Sequence, residues 1–152
     1  SKASLHYHFP SKATLGTKLI ERYGTEFKLA LDAIDAAGGG SLDRLRRFVD
    51  IYMHVLAGER VCLCGMLTAE FMTLPPAMQS ALNHFFELTE QWVATVLEEG
   101  RAEGGLHFAG PAGDAAQYFI SSLEGSMIMA RAQGGMPRFN SATQHLLADF
   151  GK

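Results

Sequence analysis

A chain of 152 residues with 47% hydrophobic and 19% charged side chains has the balance of one folded domain with a sizeable core. Its formal charge of −3 gives no overall attraction for nucleic acid or acidic lipid, so any DNA-binding basic surface is expected to be local or partly missing from this chain. The best candidate for a membrane span, residues 115–132, is interrupted by Glu124 and Arg131, and no membrane partner is expected.

Two cysteines, Cys62 and Cys64, form a C-x-C pair. They are too few for a disulfide framework, which points to a reducing cytoplasm. The six histidines show no metal-ligand spacing, and neither a metal nor another cofactor is expected.

Helical periodicity runs through nearly the whole chain, and the fold is expected to be all-α. Leu5 to Pro10 reads as the end of a short opening helix followed by a break. Ser11 then has the chemistry to cap a long second helix reaching about Ala37, roughly 40 Å in length. Its expected stripe is Leu15, Leu19, Tyr23, Phe27 and Leu31, widened by Ile20 and Ile34.

The third helix is expected to start at a Ser41 cap and to bury Leu42, Leu45, Phe48, Val49, Tyr52 and Leu56. Arg44, Arg46, Arg47 and Asp50 read as its solvated face. A short fourth helix covers about Cys62 to Met72. The Pro75-Pro76 pair opens a fifth, since proline fits a first helical turn.

The sixth, from Pro111 to about Gln133, is apolar or small on most sides. The last runs from about Ser141 to Phe150. Small Ser122, Gly125, Ser126 and Ala130, together with Phe139, Leu146, Leu147 and Phe150, are expected to pair two copies through a four-helix interface.

The run Ser1-Lys2-Ala3-Ser4-Leu5-His6-Tyr7-His8-Phe9-Pro10-Ser11-Lys12, continued by Ala13-Thr14-Leu15, resembles the signature of the TetR/AcrR family of transcriptional regulators. In that family it spans the recognition helix of a helix-turn-helix and the first turn of the next helix. The resemblance implies an N-terminally incomplete record, with two preceding helices absent. It divides the chain into a DNA-binding remnant, residues 1–23, and a TetR-like ligand-binding and dimerisation domain, residues 24–152.

It also implies double-stranded operator DNA as partner. Ser1, Lys2, Ala3, Ser4 and His6 lie toward base edges, while Tyr7, His8 and Lys12 suit phosphates. The implied function is a cytoplasmic transcriptional repressor, a homodimer released from DNA by a small hydrophobic effector, and not an enzyme.

For the effector pocket, the candidates are Met53, His54, Met66, Phe71, Phe85, Trp92, Phe119, Leu123 and Met127. His54, Thr68, Glu70 or Thr89 would orient a polar group. The expected effector is neutral or weakly polar, aromatic compounds included. Two other readings stand beside this one: a thiol sensor acting through Cys62 and Cys64, and a helical ligand-binding dimer with no DNA role.

Overall fold

The computed structural model describes residues 11–151. Within them the chain forms six α-helices: α1 (Lys12–Ala37), α2 (Ser41–Ala57), α3 (Leu63–Thr68), α4 (Pro76–Ala102), α5 (Ala112–Ala132) and α6 (Gly135–Phe150). A 3-10 turn, Phe71–Thr73, links α3 to α4. No strand occurs among the described residues. The signature residues Ser1 to Pro10 lie outside them.

Ser11 starts α1 as expected: its hydroxyl accepts the Thr14 N–H at 3.0 Å, satisfying one of the free donors of the first turn. The buried face of α1 is Ile20, Phe27, Leu31 and Ile34, with Tyr23 half-buried beside it. Leu19 is instead 50% exposed. A strict four-residue spacing drifts about 40° around the helix at each step, so Leu19 has left the buried face that Ile20 holds.

Helix α2 is central, packing against α1, α4, α5 and α6. Leu45, Phe48, Val49, Tyr52 and Leu56 are buried, whereas Leu42 is only half-buried. The expected Ser41 cap is not formed. Gly40 holds the cap position without a side-chain hydrogen bond, and Ser41 is buried as the first helical residue. The cause is packing: a Cβ on Gly100 of α4 would stand 2.7 Å from Ser41 Cβ, so the two helices meet here at glycine distance.

The last helix begins at Gly135, six residues before the expected start at Ser141. Gly134 (φ 87°) and Gly135 (φ 55°) reverse the chain within two residues. Pro137 falls in the first turn of α6, where a missing N–H costs nothing. Helices α5 and α6 then pack closely on one another. At the far end the His107 N–H donates to the Phe150 carbonyl at 2.9 Å, tying the α4–α5 loop to the end of α6.

Candidate functional site

Helices α1 and α4 line an open groove of about 890 Å³. Its walls carry Ile20, Phe27 and Leu31 from α1 and Phe85, Leu88 and Trp92 from α4. Glu21, Lys28, Asp32 and His84 also line it. Lys28 and Asp32 are already paired at 2.6 Å, and Glu21 is paired with Lys18 at 2.7 Å. The Thr17 hydroxyl, also in the lining, has no hydrogen-bond partner. Apolar walls with a few convergent polar groups are what a small organic ligand requires.

Trp92 is held rigidly in that wall. Its ring stacks on Phe48 at 5.5 Å and 16°, and its N–H is bonded to Asp35. The Arg44 guanidinium lies 5.5 Å from its centroid and bridges Asp35 and Glu99. Arg44 was expected on a solvated face, but its side chain is only 15% exposed. The aromatic body of Trp92 and two carboxylates from flanking helices account for that burial.

Behind the groove lies a buried polar cluster. Glu124 of α5 accepts a hydrogen bond from the Tyr52 hydroxyl at 3.1 Å, while its second oxygen, Oε2, is unpartnered. Cys62 lies near the same carboxyl, and Tyr23 is close to Cys62. Gly65 makes the approach possible, since a Cβ there would stand 2.9 Å from Glu124 Cδ. Burial raises the Glu124 carboxyl above its ordinary range, and the bonds from Cys62 and Tyr52 offset that rise only in part.

The thiols share this environment. Burial, then the nearby Glu124, pushes Cys62 up to about 12, and burial also raises Cys64. Both are free and buried. Cys62 is the N-cap of α3, its sulfur accepting the Gly65 N–H at 3.4 Å. Thiolate is the reactive form, so these surroundings favour inert structural cysteines.

Of the nine residues expected to touch ligand, Phe85 and Trp92 line the groove. Phe119, Leu123 and Met127 are fully buried: Phe119 packs between Phe48 and Phe150, and the Met127 sulfur accepts the Cys62 N–H at 3.1 Å. Met53 and Phe71 are half-buried against the core, His54 is exposed, and Met66 is 46% exposed.

The polar candidates are mostly engaged locally. The Thr89 hydroxyl donates to the Phe85 carbonyl, the Thr68 hydroxyl to the Cys64 carbonyl, and the His54 ring bonds to the Asp50 carbonyl. Glu70 is exposed. Sequence reasoning noted Glu124 only as a charge interrupting residues 115–132 and missed the buried polar cluster it forms. An acid in an otherwise apolar helical face was the available signal.

Of the residues expected at a dimer interface, Ala130, Phe139, Leu146 and Phe150 are buried within the subunit itself. Gly125 is exposed, and Ser122, Ser126 and Leu147 are half-buried. On α5, Tyr118, Ile128 and Met129 are also exposed, at 52%, 40% and 47%. Lys12, the one DNA-contact candidate within the described residues, is exposed at the N-terminus of α1.

An all-helical regulatory domain with a lateral ligand-sized groove is the class that this architecture defines. The family described as "Tetracyclin repressor-like, C-terminal domain" matches residues 41–146. The chain therefore belongs to that family. It superposes with a TM-score of 0.95 on a TetR-family transcriptional regulator from Agrobacterium tumefaciens, at 29% identity, covering 100% of this chain and 81% of that one.

The nucleoid occlusion factor SlmA of Photobacterium profundum is 28% identical over 128 residues, 84% of this chain. The chain spans 65% of the length of that protein. The HTH-type transcriptional repressor NemR of Escherichia coli is 24% identical over 149 residues, 95% of this chain and 75% of that protein. Among the described residues no helix is long and apolar enough to cross a membrane.

Proposed function

We propose that this protein is a DNA-binding transcriptional repressor released from its operator by a small hydrophobic effector. The observation that carries the reading is the family match over residues 41–146, joined to a TM-score of 0.95 with a TetR-family regulator. Residues 1–23 belong to the DNA-reading end and residues 24–152 to the regulatory domain. Ser1, Lys2, Ala3, Ser4, His6, Tyr7, His8 and Lys12 face DNA. The location of Lys12, exposed at the start of α1 beside the Ser11 cap, supports a phosphate contact there.

The effector occupies the groove between α1 and α4, against Phe85 and Trp92. Helix α1 then carries the response, because it forms one groove wall and begins at the DNA-reading end. Only a ligand that prefers the DNA-incompetent arrangement shifts the equilibrium. Two copies pair through the outward faces of α5 and α6. The exposed Tyr118, Gly125, Ile128 and Met129 support such an interface.

Immunoprecipitation of the native protein with cross-linked chromosomal DNA tests the reading. Enrichment of a few segments sharing a two-fold symmetric sequence, with half-sites about 34–36 Å apart, is the expected result. Uniform recovery across the chromosome would leave only a helical ligand-binding dimer.

A further inference from the structure

Helices α1 and α4 run side by side in the same direction, and contacts at both ends and the middle hold them together along the groove. At the start a Cβ on Gly16 would stand 2.6 Å from the Met78 side chain, and midway a Cβ on Gly24 would stand 3.8 Å from Phe85. At the far end the Trp92 N–H bonds to Asp35. The lining reaches from Thr17 to Asp32 on α1 and from Ala77 to Thr95 on α4, about 22 Å and about 27 Å at the helical rise. Spread over that length, the volume of about 890 Å³ gives a mean cross-section of about 40 Å². The groove is a furrow, long and narrow.

Its floor is apolar along its length. Ile20, Phe27, Leu31 and Phe85 are buried there, Leu88 is 40% exposed at the edge, and Gly24 leaves the middle clear. Both carboxylates of the lining are already in ion pairs, Glu21 with Lys18 and Asp32 with Lys28. A charged ligand would therefore bring its ion to an apolar floor whose neighbouring charges are engaged. A compact ligand would leave much of the floor to water, whereas an extended chain covers it. An α-helix, about 10–12 Å across with its side chains, has at least about twice the section of the furrow.

We propose that the groove takes a linear aliphatic molecule with an uncharged polar end, a long-chain alcohol or ester, laid lengthwise between α1 and α4. The inference rests on the groove being the effector site and names the class of ligand bound there. A furrow of about 22 Å holds an extended chain of up to about sixteen carbons. The polar end meets the rim, where Ser80, His84, Gln91 and Thr95 are exposed along α4.

Gly24 supplies the ruler for a test. Its Cβ direction is open on the groove side, so a larger side chain there blocks the furrow near its middle. Replacing a helical glycine also favours α1 itself. The probes are hexanol, octanol, decanol and dodecanol, titrated by calorimetry, with cyclododecanol as a compact alcohol and dodecanoate as a charged chain. Trp92 is the single tryptophan of the chain and lies in the groove wall, so its emission reports occupancy. In the wild type each added methylene is expected to tighten binding about two- to fourfold through dodecanol. Decanol should bind about tenfold more tightly than cyclododecanol, and dodecanol more tightly than dodecanoate. In Gly24→Leu the gain should stop near octanol, a chain about half the length of the furrow.

A gain that continues unchanged through dodecanol in Gly24→Leu, or cyclododecanol binding as tightly as decanol, overturns the lengthwise chain and leaves the groove in place. Dodecanoate binding more tightly than dodecanol overturns the uncharged end. Should Gly24→Leu fail to fold, the comparison of decanol with cyclododecanol in the wild type decides. If no alcohol binds or alters Trp92 emission, the groove reading falls, and this proposal with it.

Discussion

The indole N–H of Trp92 donates to Asp35 Oδ2 at 2.9 Å, joining a groove wall on α4 to the last turn of α1. Arg44 of α2 closes the arrangement, donating to Asp35 Oδ1 at 2.6 Å and to Glu99, with its guanidinium over the indole. Three helices thus meet at one residue of the groove. A ligand that displaces Trp92 acts on α1 through this staple as well as through the groove wall itself.

Replacing Arg44 by Ala removes both carboxylate bonds and the cation–π contact. Asp35 and Glu99 are 42% and 49% exposed, so water compensates for much of the loss. A destabilisation of about 1–2 kcal/mol is expected in urea unfolding. Arg44→Lys should recover only part of it, since an ammonium does not present the planar fork that spans two carboxylates. An unfolding midpoint unchanged in Arg44→Ala would mean that the staple contributes nothing.

Gly65→Ala tests the close approach of α3 to α5. The new Cβ would overlap a carboxyl that the Tyr52 hydroxyl holds in place. Overpacking at such a site costs about 1–3 kcal/mol. The loss should shrink in a Glu124→Ala background, where the obstruction is gone, and double-mutant analysis reads that coupling. Additive effects would place the strain elsewhere.

The buried acid sets a pH dependence of defined sign. The folded-state pKa of Glu124 is raised above the ordinary 4.5, so the folded state holds this proton more tightly than the unfolded chain does. Its contribution to stability is complete below the ordinary value and is lost as pH rises through the raised one. Glu124→Gln, which cannot ionise, should therefore gain stability relative to wild type across that window. Thermal unfolding curves for the two proteins that stay parallel from acid to neutral pH would contradict this.

Cys62 and Cys64 should resist a disulfide reagent in the folded protein and react together once denaturant opens the domain. Burial keeps both as thiols, and the reactive thiolate is scarce. Rapid labelling of either one under native conditions would restore the thiol-sensor reading.

Helix boundaries were legible where local chemistry decides them, as at Ser11, which caps α1, and at Pro76, which opens α4. The Ser41 cap and the start of the last helix were not legible, because each depends on contacts and turns beyond its own helical pattern. Ser41 is pressed against Gly100, and Pro137 is accepted within a turn that Gly134 and Gly135 create. Phe85 and Trp92 were readable as groove residues from type and spacing.

Phe119, Leu123 and Met127 share that type and spacing yet are core residues, because periodicity shows which side of a helix is apolar and not whether another helix fills it. The same ambiguity hid Phe139, Leu146 and Phe150 inside the subunit. Glu124 was illegible as a site for another reason. Its partners, Tyr52, Cys62 and Gly65, come from two other elements distant in sequence.

Coupling between groove and DNA is tested most directly by fluorescence anisotropy of the native protein on a DNA segment recovered by immunoprecipitation, with and without a compound that perturbs Trp92 emission. The expected result is an affinity for DNA reduced about tenfold or more when the groove is occupied, in line with a coupling free energy of about 1–3 kcal/mol. The same compound should require higher concentrations in Phe85→Ala. Equal DNA affinity with the groove filled and empty would contradict the assignment of this groove as the effector site.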